Sequence, residues 1–99
     1  MKLFAISYDL RQPSRKYNEL YDAIKQLAGV GNWQHPMESL WVVVVSDYSP
    51  RDANSIYGEI RKYIDENDSL FVVRLDLNER QGWMPKSFWT WLKEKSSMI

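Results

Sequence analysis

The chain opens on a two-residue alternation. Leu3, Ala5 and Ser7 fall to one side and Phe4, Ile6 and Tyr8 to the other, which predicts a strand from Lys2 to Tyr8 closed by Asp9. A helical period follows. Tyr17, Leu20, Tyr21, Ile24, Leu27 and Ala28 share one face, so residues 15 to 28 read as an amphipathic helix. Pro13-Ser14 supplies a turn and an N-cap before it, and Gly29 and Gly31 stop it. The strongest strand signal is LWVVVVSD, residues 40 to 47. WQHPMES, just before it, reads as a hairpin partner that Pro36 confines to an edge, a bulge or a broken strand. Ser49-Pro50-Arg51-Asp52 has the form of a helix start: a capping hydroxyl, Pro at the first helical position and an acid three residues after the cap. Ala53, Ile56, Tyr57, Ile60, Tyr63 and Ile64 keep the period and predict a second helix to about Glu66. Asn67-Asp68 breaks it. A strand from Leu70 to Leu77, a loop over 78 to 86 and a short helix from Pro85 to Lys95 carrying Phe88, Trp91 and Leu92 inward complete the pattern.

Strand, helix, two strands, helix, strand is the order of a split βαβ, or ferredoxin-like, α+β sandwich. It implies a four-stranded antiparallel sheet with two helices on one face, built from residues 1 to 77, and a Trp-rich C-terminal extension over 78 to 99. No linker or internal repeat divides the chain, so one domain is expected. Both faces of that sheet are apolar. Trp41, Val43 and Val45 oppose Val42 and Val44, and Phe71, Val73 and Leu75 oppose Leu70 and Val72. Each large apolar side chain gains roughly 1.5–3 kcal/mol on burial, so the face away from the helices needs a cover. The C-terminal segment, a second subunit, or both can provide it, and a homodimer is expected.

Composition narrows the classes. Thirteen Lys plus Arg balance thirteen Asp plus Glu, which excludes a strongly basic nucleic-acid clamp but not a local basic patch. Cysteine is absent, and with it any disulfide framework, thiolate metal site or thiol nucleophile. The longest apolar run, Leu40 to Val45, is far short of the ~20 residues of a membrane span, and the opening decapeptide does not have the form of a signal peptide. A cytoplasmic domain without a membrane partner is the resulting expectation. Aromatic residues reach 14%, with five Trp and six Tyr. Trp41 belongs to core or interface, whereas Trp83, Trp89 and Trp91 either pack on the sheet or a partner or stack bases.

Asp9 leads the candidate chemistry. At a strand end beside Arg11, Arg15 and Lys16, its carboxylate suits a divalent cation such as Mg²⁺; the alternative is a turn residue accepting backbone N–H groups. His35, the sole histidine, is either a general base or a hydrogen-bonded strand residue. Ser7, Ser39 and Ser46 lack the context of a serine nucleophile, and GxGxxG, P-loop, HExxH and EF-hand patterns are all missing. Asp65, Glu66 and Asp68 read as a solvated helix end. Arg61, Lys62 and Arg74, with Arg11, Arg15 and Lys16, form either a phosphate-contacting patch or a solvated surface.

Three segments resemble a known family. LFAISYDL, ending in Tyr8-Asp9, is similar to the first strand of the small CRISPR-associated adaptation protein, the Cas "two" family, whose fold VapD-type toxin ribonucleases share. Gln34-His35-Pro36-Met37-Glu38-Ser39-Leu40-Trp41 is similar to its Gln–Ser–apolar–aromatic motif, with a stretched Gln-to-Ser spacing. Asp68-Ser69-Leu70-Phe71-Val72-Val73-Arg74-Leu75 is similar to its acidic-Ser-aliphatic fourth strand. The three lie in the same order across residues 1 to 77. The resemblance implies a ferredoxin-like homodimer and, in some members, a Mg²⁺-dependent endonuclease in which strand-end aspartates of two subunits face each other. Carried over, Asp9 is the catalytic and metal-holding residue and Ser39 lines the site; beside them Tyr8, Arg11 and Arg15 are the candidates to bind substrate, with Arg11 or Arg15 at the scissile phosphate of RNA or DNA. The long spacing, the neutral charge and the Trp-rich tail mark a divergent member. A non-catalytic dimeric adaptor, binding a protein partner through the aromatic C-terminal segment, is the other reading. A small-molecule regulator has no cofactor signature behind it.

Overall fold

The computed structural model describes residues 1–11 and 17–96, so the Pro13-Ser14 turn and cap lie outside the described residues. Seven elements follow one another: β1 (Lys2–Asp9), α1 (Tyr17–Ala28), β2 (Trp33–Met37), β3 (Leu40–Val45), α2 (Ala53–Arg61), β4 (Ser69–Arg74) and α3 (Lys86–Ser96). The strands form one sheet in the order β2-β3-β1-β4, with every neighbouring pair antiparallel. This is the ferredoxin-like βαββαβ sandwich with an added C-terminal helix.

The alternation in β1 and β3 sorts the sheet into two cores. Phe4, Ile6 and Tyr8 of β1 and Trp41, Val43 and Val45 of β3 pack against Leu20, Ile24 and Leu27 of α1 and Ile56 and Ile60 of α2. On the opposite face Leu3, Val42 and Val44 pack against Phe88 and Leu92 of α3, with Met1, Leu75, Leu77, Met84, Trp89 and Trp91 around them. The C-terminal helix is therefore a cover for the second face. Two polar contacts tie it across the sheet to the loop after α1. Trp91 Nε1 donates to the Gly31 carbonyl at 2.9 Å and Lys95 Nζ to Asn32 Oδ1 at 3.2 Å. That loop depends on Gly29 and Gly31, whose φ angles of 90° and 80° are left-handed and end α1 where the glycines predict.

The cover is incomplete. Phe71, Val73 and Met37 are 65%, 38% and 48% exposed. Phe71 pairs with Ser7 and Met37 with Leu40, toward the Asp9 end of the second face, and Val73 pairs with Ala5 at its middle. α3 covers the end toward Leu3.

Several boundaries differ from the sequence expectation. β1 extends through Asp9, which pairs with Ser69, rather than closing before it. α2 begins at Ala53 with Asp52, not Ser49, as its cap. Asp52 Oδ1 accepts from Ser55 N at 2.8 Å, while Ser55 Oγ accepts from Asp52 N at 2.9 Å. The Ser55 amide holds the Asp52 carboxyl below the usual carboxylate range. Ser49 Oγ instead accepts from Arg51 N, a turn inside the connecting loop. α2 also stops at Arg61 rather than near Glu66, because the chain turns there: Arg61 Nη1 donates to the Ile64 carbonyl at 2.8 Å. Ile64 still reaches the core from beyond the helix, while Tyr57 on the predicted apolar face is exposed. β4 ends at Arg74, three residues before the expected Leu77. β2 is an edge strand whose register shifts between Gln34 and Met37, the irregularity expected around Pro36.

Candidate functional site

Three elements meet at the Asp9 end of the sheet. β1 delivers Ser7, Tyr8 and Asp9, β4 opposes them with Ser69, Leu70 and Phe71, and the β2–β3 turn brings Glu38 and Ser39 alongside. The turn is held there by Tyr8 N–H, which donates to the Ser39 carbonyl at 3.1 Å. The result is a depression of about 340 Å³ walled by Ser7, Asp9, Ser39, Ser69 and Phe71, next to a second of about 260 Å³ walled by Asp9, Leu10, Tyr17, Glu38 and Ser39. Asp9 and Ser39 belong to both. Residues thirty positions apart in sequence are neighbours because β1 and β3 run antiparallel through the centre of the sheet.

Asp9 is exposed, and its carboxylate takes no hydrogen bond or ion pair from a described residue. Tyr8 does the opposite. Its side chain enters the helix-side core, where the hydroxyl donates to the Glu38 carbonyl at 2.9 Å and accepts from Trp41 Nε1 at 3.0 Å. Burial pushes the Tyr8 hydroxyl well above the ordinary tyrosine pKa. The expected substrate-binding group thus lines the depressions while its hydroxyl supports the turn beneath them. His35 belongs to the same support. Its ring stacks on Trp41 at 4.0 Å between centroids and 11° between planes, and Nε2 lies 2.9 Å from the Glu38 carbonyl. Tyr21 meets both rings edge-on. The Glu38 carbonyl therefore receives two side chains, and the peptide that carries Ser39 is fixed from below.

Arg11 is exposed just beyond β1, and its backbone N–H donates to Asp68 Oδ1 at 2.8 Å. The other oxygen of Asp68 accepts from Asp65 N at 2.8 Å. Asp68 is thus a clip joining the β1 exit to the turn before β4, not part of a merely solvated helix end. Arg15, the second arginine expected at the phosphate, lies outside the described residues, as does Lys16. Among the described residues the wider basic patch does not assemble. Arg74 pairs with Phe4, far along β1 from Asp9, Arg61 is bonded to the Ile64 carbonyl, and Lys62 pairs with Glu59 at 3.2 Å.

Glu38 is the residue that reading the sequence did not single out. It puts a second carboxylate on the depression that Asp9 lines, and Asp9 and Glu38 both push the Tyr17 hydroxyl pKa upward, after the larger effect of burial. Its signal was the hairpin turn between β2 and β3, whose position over the end of β1 depends on strand pairing. Among the described residues no group of three or more His, Asp and Glu side chains comes together to hold a metal. One chain presents hard oxygen donors, two carboxylates and the Ser39 and Ser69 hydroxyls, of the kind Mg²⁺ takes together with water and phosphate. No helix among the described residues is long and apolar enough to cross a membrane. No protein-family model and no curated protein matches the chain.

Proposed function

We propose that the protein is a divergent homodimeric relative of the CRISPR-associated adaptation proteins and VapD ribonucleases, and that it acts as a Mg²⁺-dependent endonuclease on RNA or DNA. The observation that carries this reading is the position of Asp9. An exposed carboxylate without a partner among the described residues stands at the rim of the uncovered half of an apolar sheet face, beside Phe71. A second copy laid on that half-face across a two-fold axis brings its own Asp9 to the same rim, so two chains supply the ligand count that one chain lacks. Bound there, the ion supplies an activated water and stabilises charge on the phosphate in flight. Asp9 of each subunit holds the site, Glu38 adds negative charge at its edge, and Ser39 and Ser69 offer hydroxyls to the substrate. Arg11, with Arg15, meets the scissile phosphate.

Purified protein incubated with labelled RNA and DNA in Mg²⁺ or Mn²⁺ tests the reading. Cleavage is expected to need the ion and to fall at least a hundredfold in Asp9→Asn. Cleavage unchanged by that substitution, or no cleavage of either nucleic acid, ends the endonuclease proposal. The adaptor reading has less surface than its sequence suggests. Phe88, Trp89 and Trp91 are spent on the protein's own sheet, which leaves Trp83 as the fully exposed aromatic of that segment.

A further inference from the structure

We propose that the cavity between the end of β4 and α3 is a phosphate-binding site for a nucleotide unit, either free or at the 5′ end of a single-stranded nucleic acid. The cavity measures about 400 Å³, at the lower end of the range of small-ligand sites. Arg74 and Arg80 both line it, and neither guanidinium has an ion pair or hydrogen bond with a described residue. Two of the acids nearby hold other partners. Asp76 Oδ1 accepts from Asn78 N at 3.0 Å, and Asp47 takes the terminal ammonium of Met1 at 2.7 Å. Arg74 adds only a lesser pull to the lowering of the Asp47 carboxyl pKa, behind that ammonium. Two guanidinium forks whose planar donors match phosphate oxygens therefore outnumber the one carboxylate, Asp76, among the described residues that line the cavity.

The rest of the lining selects more than bare phosphate. Leu3, Leu75 and Leu77 give the cavity an apolar side suited to a base or sugar. Trp83 is 100% exposed and lies three residues after Arg80, a reach of at most about 11 Å. An exposed indole on the same loop as Arg80 is a platform on which a base can stack. The site is not the Asp9 site. Leu3 and Asp9 are at opposite ends of β1, about 20 Å apart at ~3.3 Å per residue, so the proposal does not rest on the nuclease reading.

The test is fluorescence anisotropy of a 3′-labelled hexanucleotide, with and without a 5′ phosphate, on the full chain in EDTA. The 5′-phosphorylated strand is expected to bind at least tenfold tighter than the 5′-hydroxyl strand. Arg74→Gln with Arg80→Gln is expected to erase that difference, and since both side chains are exposed the variant keeps the wild-type circular dichroism. Trp83→Ala is expected to weaken the phosphorylated strand at least fivefold, as loss of one stacked base does. AMP that competes with the strand identifies a free nucleotide as ligand; a phosphate-dependent strand that AMP does not displace identifies a nucleic-acid end. Equal binding of the two strands, or a preference that survives the double substitution, overturns the site. An unchanged affinity in Trp83→Ala overturns the nucleotide assignment. Asp9→Asn should leave the preference intact, which separates this result from the fate of the nuclease proposal.

Discussion

Tyr8 and Asp9 are adjacent in sequence and opposite in role. Strand pleating turns the first into the core and the second to solvent, so one supports the turn beneath the depressions and the other lines them. Tyr8→Phe removes the hydroxyl between Trp41 Nε1 and the Glu38 carbonyl and leaves a buried indole N–H without its partner. The expected cost is about 1–3 kcal/mol, read by urea unfolding. The same residue sets an alkaline limit. Its pKa is raised in the folded protein, so above about pH 10 the unfolded chain releases a proton that the folded chain retains, and stability falls as pH rises. Tyr8→Phe is expected to lose less stability than wild type between pH 9 and 11; equal losses contradict the assignment. At this scale residue types were legible and partners were not. Asp52 was visible as a member of a capping box, but whether it or Ser49 closed the helix depended on where the chain turned out of β3.

α3 shows what an element adds. Its helical spacing brings Phe88 and Leu92 onto Leu3, Val42 and Val44, and converts a second apolar sheet face into a second core. Phe88→Ala is expected to destabilise the protein by about 3–5 kcal/mol, the range for a buried aromatic, and calorimetry checks this directly. A change near zero would mean that α3 is only loosely attached. Sequence periodicity placed α3 within one residue of each end because its apolar face is regular. The same reasoning ran α2 too far: Tyr63 and Ile64 keep the helical period but sit in a turn. Periodicity registers which residues reach the core, and Ile64 reaches it from either geometry.

For the whole molecule, the question is what rests on the half-face that α3 leaves open. Phe71, Val73 and Met37 are an apolar patch beside a carboxylate, and the proposed dimer covers it with a second copy of the chain while leaving Asp9 at the rim. Phe71→Glu is expected to shift a dimer to a monomer in light scattering at micromolar concentration while leaving the thermal midpoint near wild type, since Phe71 is exposed in the single chain. A wild-type monomer under the same conditions removes both the dimer and the paired Asp9 site. The amino-acid order alone determined the element sequence, the ferredoxin-like class, the two-sided apolar sheet and the candidacy of Asp9, because local period, turn residues and side-chain type are local properties. Tertiary structure decided that α3 covers only half of the second face, that Glu38 and Ser39 stand beside Asp9, and that Arg74 keeps company with Arg80 rather than Arg11. Those outcomes come from strand pairing, helix docking and the path of the loop after β4, which short stretches of sequence do not mark.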